Sequence, residues 1–122
     1  NLGHKYVERD TAEYDWVETG AKTVLNTDGT WRELDCSTIV PAGAVAIIFR
    51  IAMYDDSSGK AFKIRNADST STICVLECRN SVVNNTVSAI GAVACSSDRK
   101  VEYWAHNNAF SNIWGGSGCW YI

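Results

Sequence analysis

Trp104, His106, Asn107 and Asn108 bring an indole, an imidazole and two primary amides into one short stretch of chain. A sugar-binding surface uses that combination. A flat ring meets the C–H face of a pyranose, and planar polar groups take its hydroxyls. Trp114 and Trp120, with Tyr54 and Tyr121, fall on or near the ends of expected strands and extend the aromatic set. The expected ligand platform is therefore Trp104, His106, Asn107, Asn108 and Trp114. The competing use of such rings is packing, in the core or at a subunit interface, where Trp and Tyr are also enriched. Trp16 and Trp31 are assigned to packing.

Catalytic patterns are weaker. Gly115-Gly116-Ser117-Gly118-Cys119 nearly spells the nucleophile elbow Gly-x-Ser-x-Gly, but its last position is Cys. A turn or bulge before the last strand accounts for it better. The chain has two histidines, His4 and His106. A Ser–His–acid site would have to use His106, and histidines beside loops mostly serve as solvated or hydrogen-bonded groups. Glu33, Asp35, Asp55, Asp56, Glu77 and Glu102 offer carboxylates for glycoside chemistry. All fall on outward strand or turn positions, where solvated charge is expected. The stretch Asp55-Asp56-Ser57-Ser58-Gly59 has oxygen ligands for Ca²⁺ but lacks the length and closing Glu of an EF-hand loop, so it reads as a hairpin-type turn. Asn84-Asn85-Thr86 matches the glycosylation sequon, a short pattern that arises by chance. No catalytic residue, metal-ligand set or cofactor is expected.

Five cysteines, Cys36, Cys74, Cys78, Cys95 and Cys119, cannot all pair within one chain. Cys74 and Cys78 lie in one expected strand, which separates them by roughly 13 Å at about 3.3 Å per residue. A disulfide needs less than about 7 Å, so these two neither bond nor share a zinc ion. Reduced, packed thiols are the expectation, which points to folding in a reducing cytosol. A long-range bridge such as Cys36 to Cys95 is the alternative.

Strands must position these groups. Residues 1–20 are rich in charge and Tyr and read as an extended lead-in or a linker. Residues 21–122 read as one β-sandwich domain. Residues 22–25 are β-prone, Asn26-Thr27-Asp28-Gly29 is a turn of the kind a tight hairpin wants, and 30–36 is a strand. In 44–54, Val45, Ile47, Phe49, Ile51 and Met53 take one face, and Ala46, Ile48, Arg50, Ala52 and Tyr54 the other, the period-two pattern of a long strand. Further strands are expected at 61–65, 72–78, 86–95, 100–106 and 112–122, the last interrupted at residues 115–118. Gly91 within a strand signals a bulge or a close backbone approach. About eight short strands with turn signals every 8–12 residues specify an all-β, antiparallel, jelly-roll-like sandwich.

Several runs of residues carry a family likeness. They are Asp28-Gly29-Thr30-Trp31, Leu34-Asp35-Cys36-Ser37, Ile39-Val40-Pro41-Ala42-Gly43-Ala44 and the apolar strand ending near Arg50. Gly59 through Arg65, Asp98 through Tyr103 and Cys119-Trp120-Tyr121-Ile122 complete the set. Over about residues 23–122 the chain resembles the small β-sandwich domains at the ends of tail fibres, spikes and head fibres of tailed phages. The shared residues are turn and core residues, and no catalytic motif comes with them. The resemblance implies a homotrimer that binds glycans or other virion proteins, on a particle assembled in a host cytoplasm.

Composition bounds both readings. The 122 residues are 46% hydrophobic and 20% charged, the balance of a globular chain, with a net charge of −3. There is no basic excess for nucleic-acid binding. No apolar run approaches the roughly 20 residues of a membrane helix. Asn1, with no initiator Met, reads as a processed product or a fragment. The leading expectation is a non-enzymatic phage virion module, decorating the particle or touching host-surface glycans. Apolar residues on both faces of 86–95 suggest an outer face covered by a neighbour. The alternative is a carbohydrate-binding module of a secreted, extracellular polysaccharide-degrading enzyme.

Overall fold

A computed structural model describes residues 5–9, 15–17, 23–70, 75–107 and 110–122. Among them run ten strands: β1 (Tyr6–Glu8), β2 (Trp16–Val17), β3 (Thr23–Val24), β4 (Arg32–Asp35), β5 (Ala46–Tyr54), β6 (Ala61–Asn66), β7 (Leu76–Arg79), β8 (Val87–Ala94), β9 (Lys100–Ala105) and β10 (Asn112–Tyr121). They form a six-stranded sheet, ordered β3-β2-β10-β5-β8 with β1 also on β10, and a four-stranded sheet, ordered β4-β9-β6-β7. With β1 and β2 sharing the first strand position, the eight positions divide between sheets as in a jelly roll, first–β10–β5–β8 against β4–β9–β6–β7, every connection between positions crossing between layers except the β6–β7 hairpin. All pairings are antiparallel except β2 with β3.

The alternation in β5 is realised as read. Ile47, Phe49, Ile51 and Met53 are fully buried, and each contributes about 1.5–3 kcal/mol of transfer free energy. Phe62 and Ile64 of β6 and Val101, Tyr103 and Ala105 of β9 face them from the other sheet, with Ile113 and Trp120 of β10 alongside in the same core. Trp16 packs on Phe49, ring centres 5.7 Å apart, in keeping with its assignment to packing.

Two turns do a different job from the one expected. The Asp28–Gly29 turn keeps its left-handed glycine, with Gly29 at φ 69°, but it closes no hairpin. β3 lies in the six-stranded sheet and β4 in the four-stranded one, so residues 25–31 carry the chain between layers. Leu25 is buried on the way, and the Asn26 N–H donates to the Tyr103 hydroxyl at 2.9 Å. Residues 55–60 likewise carry β5 across to β6.

The described part of the lead-in forms sheet. β1 pairs with residues 119–121 and β2 with 114–115, so both line β10 of their own chain. An Arg9–Asp15 ion pair of 2.9 Å ties them together. β10 itself runs unbroken through residues 115–118, with a bulge between Ser117 and Cys119 against β5. Gly91 is a close approach and no bulge: a Cβ there would lie 2.9 Å from Leu76 Cδ1 of β7.

Candidate functional site

The outward face of the four-stranded sheet collects the polar and aromatic side chains. The register sets Glu33 of β4 opposite Glu102 of β9, and Glu102 opposite Arg65 of β6. The next row sets Trp104 opposite Lys63, and Lys63 opposite Glu77 of β7. Trp31 directly precedes Arg32, where the β4–β9 ladder begins, and has the outward parity of Glu33. A backbone bond from the Gly29 N–H to the Ala105 carbonyl, 2.7 Å, holds this turn against β9. Alternation explains the face: Leu34, Val101, Tyr103, Ala105, Phe62 and Ile64 point into the core and leave their chain neighbours outside.

Each indole is covered by a cation that a carboxylate holds. The Arg65 guanidinium lies 3.8 Å from the centre of the Trp31 ring and donates from Nε to Glu102 Oε1 at 3.0 Å. Lys63 Nζ lies 4.6 Å from the Trp104 ring centre and 3.6 Å from Glu77 Oε1. Arg79 Nε donates to the other oxygen of Glu77 at 3.1 Å. Lys100 Nζ stands 3.2 Å from Glu33 Oε1, and that bond raises the Lys100 pKa. The Lys63–Trp104 contact is half-exposed, where a cation–π pair is worth about 0.5–1 kcal/mol and a ligand ring can displace it, whereas Arg65 is buried on the Trp31 ring.

His106 closes the row. Its ring centre is 4.6 Å from that of Trp104, with the planes at 70°. Its Nδ1 accepts the Ala61 N–H at 2.8 Å, which requires that nitrogen to be unprotonated. Burial, followed by the charges of Arg79, Lys60 and Lys63, lowers the His106 pKa. Asn107 is exposed at the end of the row, where its backbone nitrogen would lie 3.5 Å from a Cβ on Gly29.

Trp104, His106 and Asn107 thus come together as expected, and Asn108 lies outside the described residues. Trp114 does not join them. It stands on β10 in the six-stranded sheet, opposite Ala52, so the single platform built from both tryptophans is corrected to one face around Trp104. Trp31, assigned to packing, belongs to that face, as do Lys63, Arg65 and Glu102. The signal was present: Trp31, Glu33 and Asp35 share one parity, against Leu34 and Cys36 on the other.

The remaining candidates are built into the scaffold. The Ser117 hydroxyl is buried and donates toward the carbonyls of Ile48 (2.9 Å) and Cys119 (3.0 Å), so it is no nucleophile at an elbow. Asp55, expected as a solvated turn charge, is fully buried. Its carboxylate accepts the N–H groups of Ser57 at 3.2 Å and Ser111 at 3.1 Å, which anchors two loops. Glu33 and Glu102 are paired with Lys100 and Arg65 and serve as acceptors. Cys36, Cys78, Cys95 and Cys119 are free thiols, so the alternative Cys36–Cys95 bridge is not formed, and Cys74 and His4 lie outside the described residues. Among the described residues, no group of three or more His, Cys, Asp or Glu is placed to hold a metal ion.

No protein-family model matches the chain, and no curated protein matches it. Among solved structures it is similar to one described as the C-terminal family 22 carbohydrate binding module of Clostridium thermocellum Xyn10B. The identity is 16% and the TM-score 0.37, over 100% of this chain and 88% of the other.

Proposed function

We propose that this chain is a non-catalytic glycan-binding module and that its ligand lies on the outward face of the four-stranded sheet. One observation carries the reading: Trp31 and Trp104 both stand on that face, each bordered by a cation and a carboxylate that offer hydrogen bonds to sugar hydroxyls. Lys63 is a flexible ammonium that can leave its ring and donate to a hydroxyl in exchange. The pairing of Glu33 and Glu102 with cations supports binding over glycoside cleavage, which needs one carboxylic acid that keeps its proton. In this reading the module works outside the cell, as part of a polysaccharide-degrading enzyme.

The test is a glycan array followed by calorimetry on the best ligand. Trp31→Ala and Trp104→Ala are each expected to weaken binding by about tenfold or more, with the far-ultraviolet circular dichroism unchanged. Trp114→Ala, on the other sheet, is expected to leave binding intact. An array with no bound glycan, or equal losses from Trp114→Ala and Trp104→Ala, overturns the proposal.

A second reading, a structural and adhesive module of a phage virion protein, is favoured by the apolar outer face of the six-stranded sheet. Ile90 is 62% exposed there, and Ala92 and Ala94 are exposed beside it. A module held in a particle would cover that face. A native mass of three subunits, in contact with other virion proteins, would move the assignment to this reading.

A further inference from the structure

The outer face of the six-stranded sheet follows from its register, row by row. Tyr6, Tyr121, Ala46 and Ala94 make one row across β1, β10, β5 and β8. Glu8, Cys119, Ile48 and Ala92 make the next, then Gly116, Arg50 and Ile90, then Trp114, Ala52 and Ser88. Tyr6, Ile90, Ala92 and Ala94 are exposed and Tyr121, Ala46, Cys119 and Ile48 half-buried, whereas Gly116 and Ala52 are covered; the exposed members form an apolar patch of the kind that marks a contact site.

We infer that this face is the contact between two copies of the chain related by a two-fold axis. Charge is the first argument. Of the residues in these rows only Glu8 and Arg50 are charged, and neither has a charged partner among the described residues. They stand two strands and one row apart, about 12 Å by strand spacing. A two-fold axis in the interface, on the perpendicular bisector of that line, crosses β10 between Cys119 and Gly116. It sets Glu8 on the second copy's Arg50 and Arg50 on its Glu8. The face is complementary to itself, as an isologous contact requires.

Area is the second argument. Twelve exposed or half-buried positions, on strands about 4.8 Å apart and in rows about 6.8 Å apart, give a flat footprint of about 400 Å² before side-chain relief. That is the scale of a small interface, below the roughly 800 Å² that each partner gives to a standard one. The number of patches is the third. A three-fold ring needs two different complementary patches. Among the described residues, the opposite face of the sandwich pairs Lys63 with Glu77 and Arg65 with Glu102 around its two indoles, a charged surface and not the apolar counterpart that a three-fold ring would need. This inference is independent of the glycan reading, which concerns the other sheet.

Sedimentation equilibrium on the full chain at micromolar concentrations tests it. The expected mass is that of two subunits. Ile90→Lys, at an exposed site, is expected to raise the dissociation constant by about thirtyfold or more with an unchanged circular dichroism spectrum. Arg50→Glu is expected to weaken the pair, and Glu8→Lys with Arg50→Glu to restore it. Trp104→Ala is expected to leave it intact. A mass of one subunit throughout, a mass of three, or a two-subunit mass that ignores Ile90→Lys and Arg50→Glu overturns the inference.

Discussion

His106 is a neutral side chain by construction. Burial disfavours a charge on its ring, the charges of Arg79, Lys60 and Lys63 oppose a further positive charge, and an N–H donor aims at its Nδ1. Its folded pKa therefore lies below its unfolded value. Between those two values the unfolded chain binds more protons, so stability rises with pH there. The contribution is complete above about pH 6.5, the unfolded value, and is lost as pH falls through the folded pKa. Urea midpoints at pH 7.5 and pH 5 should therefore drop further for the native chain than for His106→Gln, which cannot protonate. Equal drops would mean that the Ala61 bond does not set the protonation of His106. The same scale explains what could be read of the site beforehand. Trp104, His106 and Asn107 are near in sequence, and a short strand keeps them near in space. Lys63, Arg65 and Trp31 reach the face only through the pairing of β6 and β4 with β9, and no local pattern states which strand lies beside which. Trp114 was misplaced for the same reason: outward parity on β10 says nothing about which sheet holds β10.

The close packing of the layers depends on glycine at one element in particular. Gly115 of β10 faces inward opposite Ile51, and a Cβ there would sit 3.2 Å from Ile51 Cγ2 and 3.7 Å from Phe62 Cε2 of the other sheet. Both neighbours are fully buried and have little room to yield. Gly115→Ala should cost about 1–3 kcal/mol of stability, as overpacking does, read from the urea midpoint. Gly91→Ala is the control. Its Cβ would meet the end of the half-buried Leu76 side chain, which can rotate away, so a smaller loss is expected. The elements differ in how visible they were. β5 and β9 alternate apolar and other residues over most of their length, and their strands were read nearly to the residue. β1 and β2 are too short to show a period. The turns at Gly29 and Gly59 have the positive φ that their residue types announce. A positive φ serves a hairpin and a crossing between sheets equally well, so the jelly-roll connections were beyond what turn chemistry can report.

Across the molecule as a whole, the described thiols lie at two depths, which gives the closed sandwich and the proposed pair a common readout. Cys36 and Cys78 are buried between the layers, and burial pushes both thiols up to about 12. At pH 8 only about one in ten thousand of such groups is thiolate, the form that reacts with iodoacetamide. Their alkylation should therefore require the sandwich to open, and urea should accelerate it in step with global unfolding. Cys95 is half-buried at the end of β8, with its thiol on the Ala44 carbonyl at 3.4 Å, and should label sooner. Cys119 is equally half-buried but sits on the outer face of the six-stranded sheet, opposite Ile48 and beside the inferred two-fold axis. Its labelling should slow as protein concentration rises through the dissociation constant, while that of Cys95 stays constant. Peptide mass mapping after a short alkylation pulse reads both cysteines in one sample. Slowing at Cys119 alone would locate the contact on that face. Equal slowing at both would place the second copy elsewhere, and early labelling of Cys36 would mean that the end of the sandwich near the 36–40 turn opens on its own.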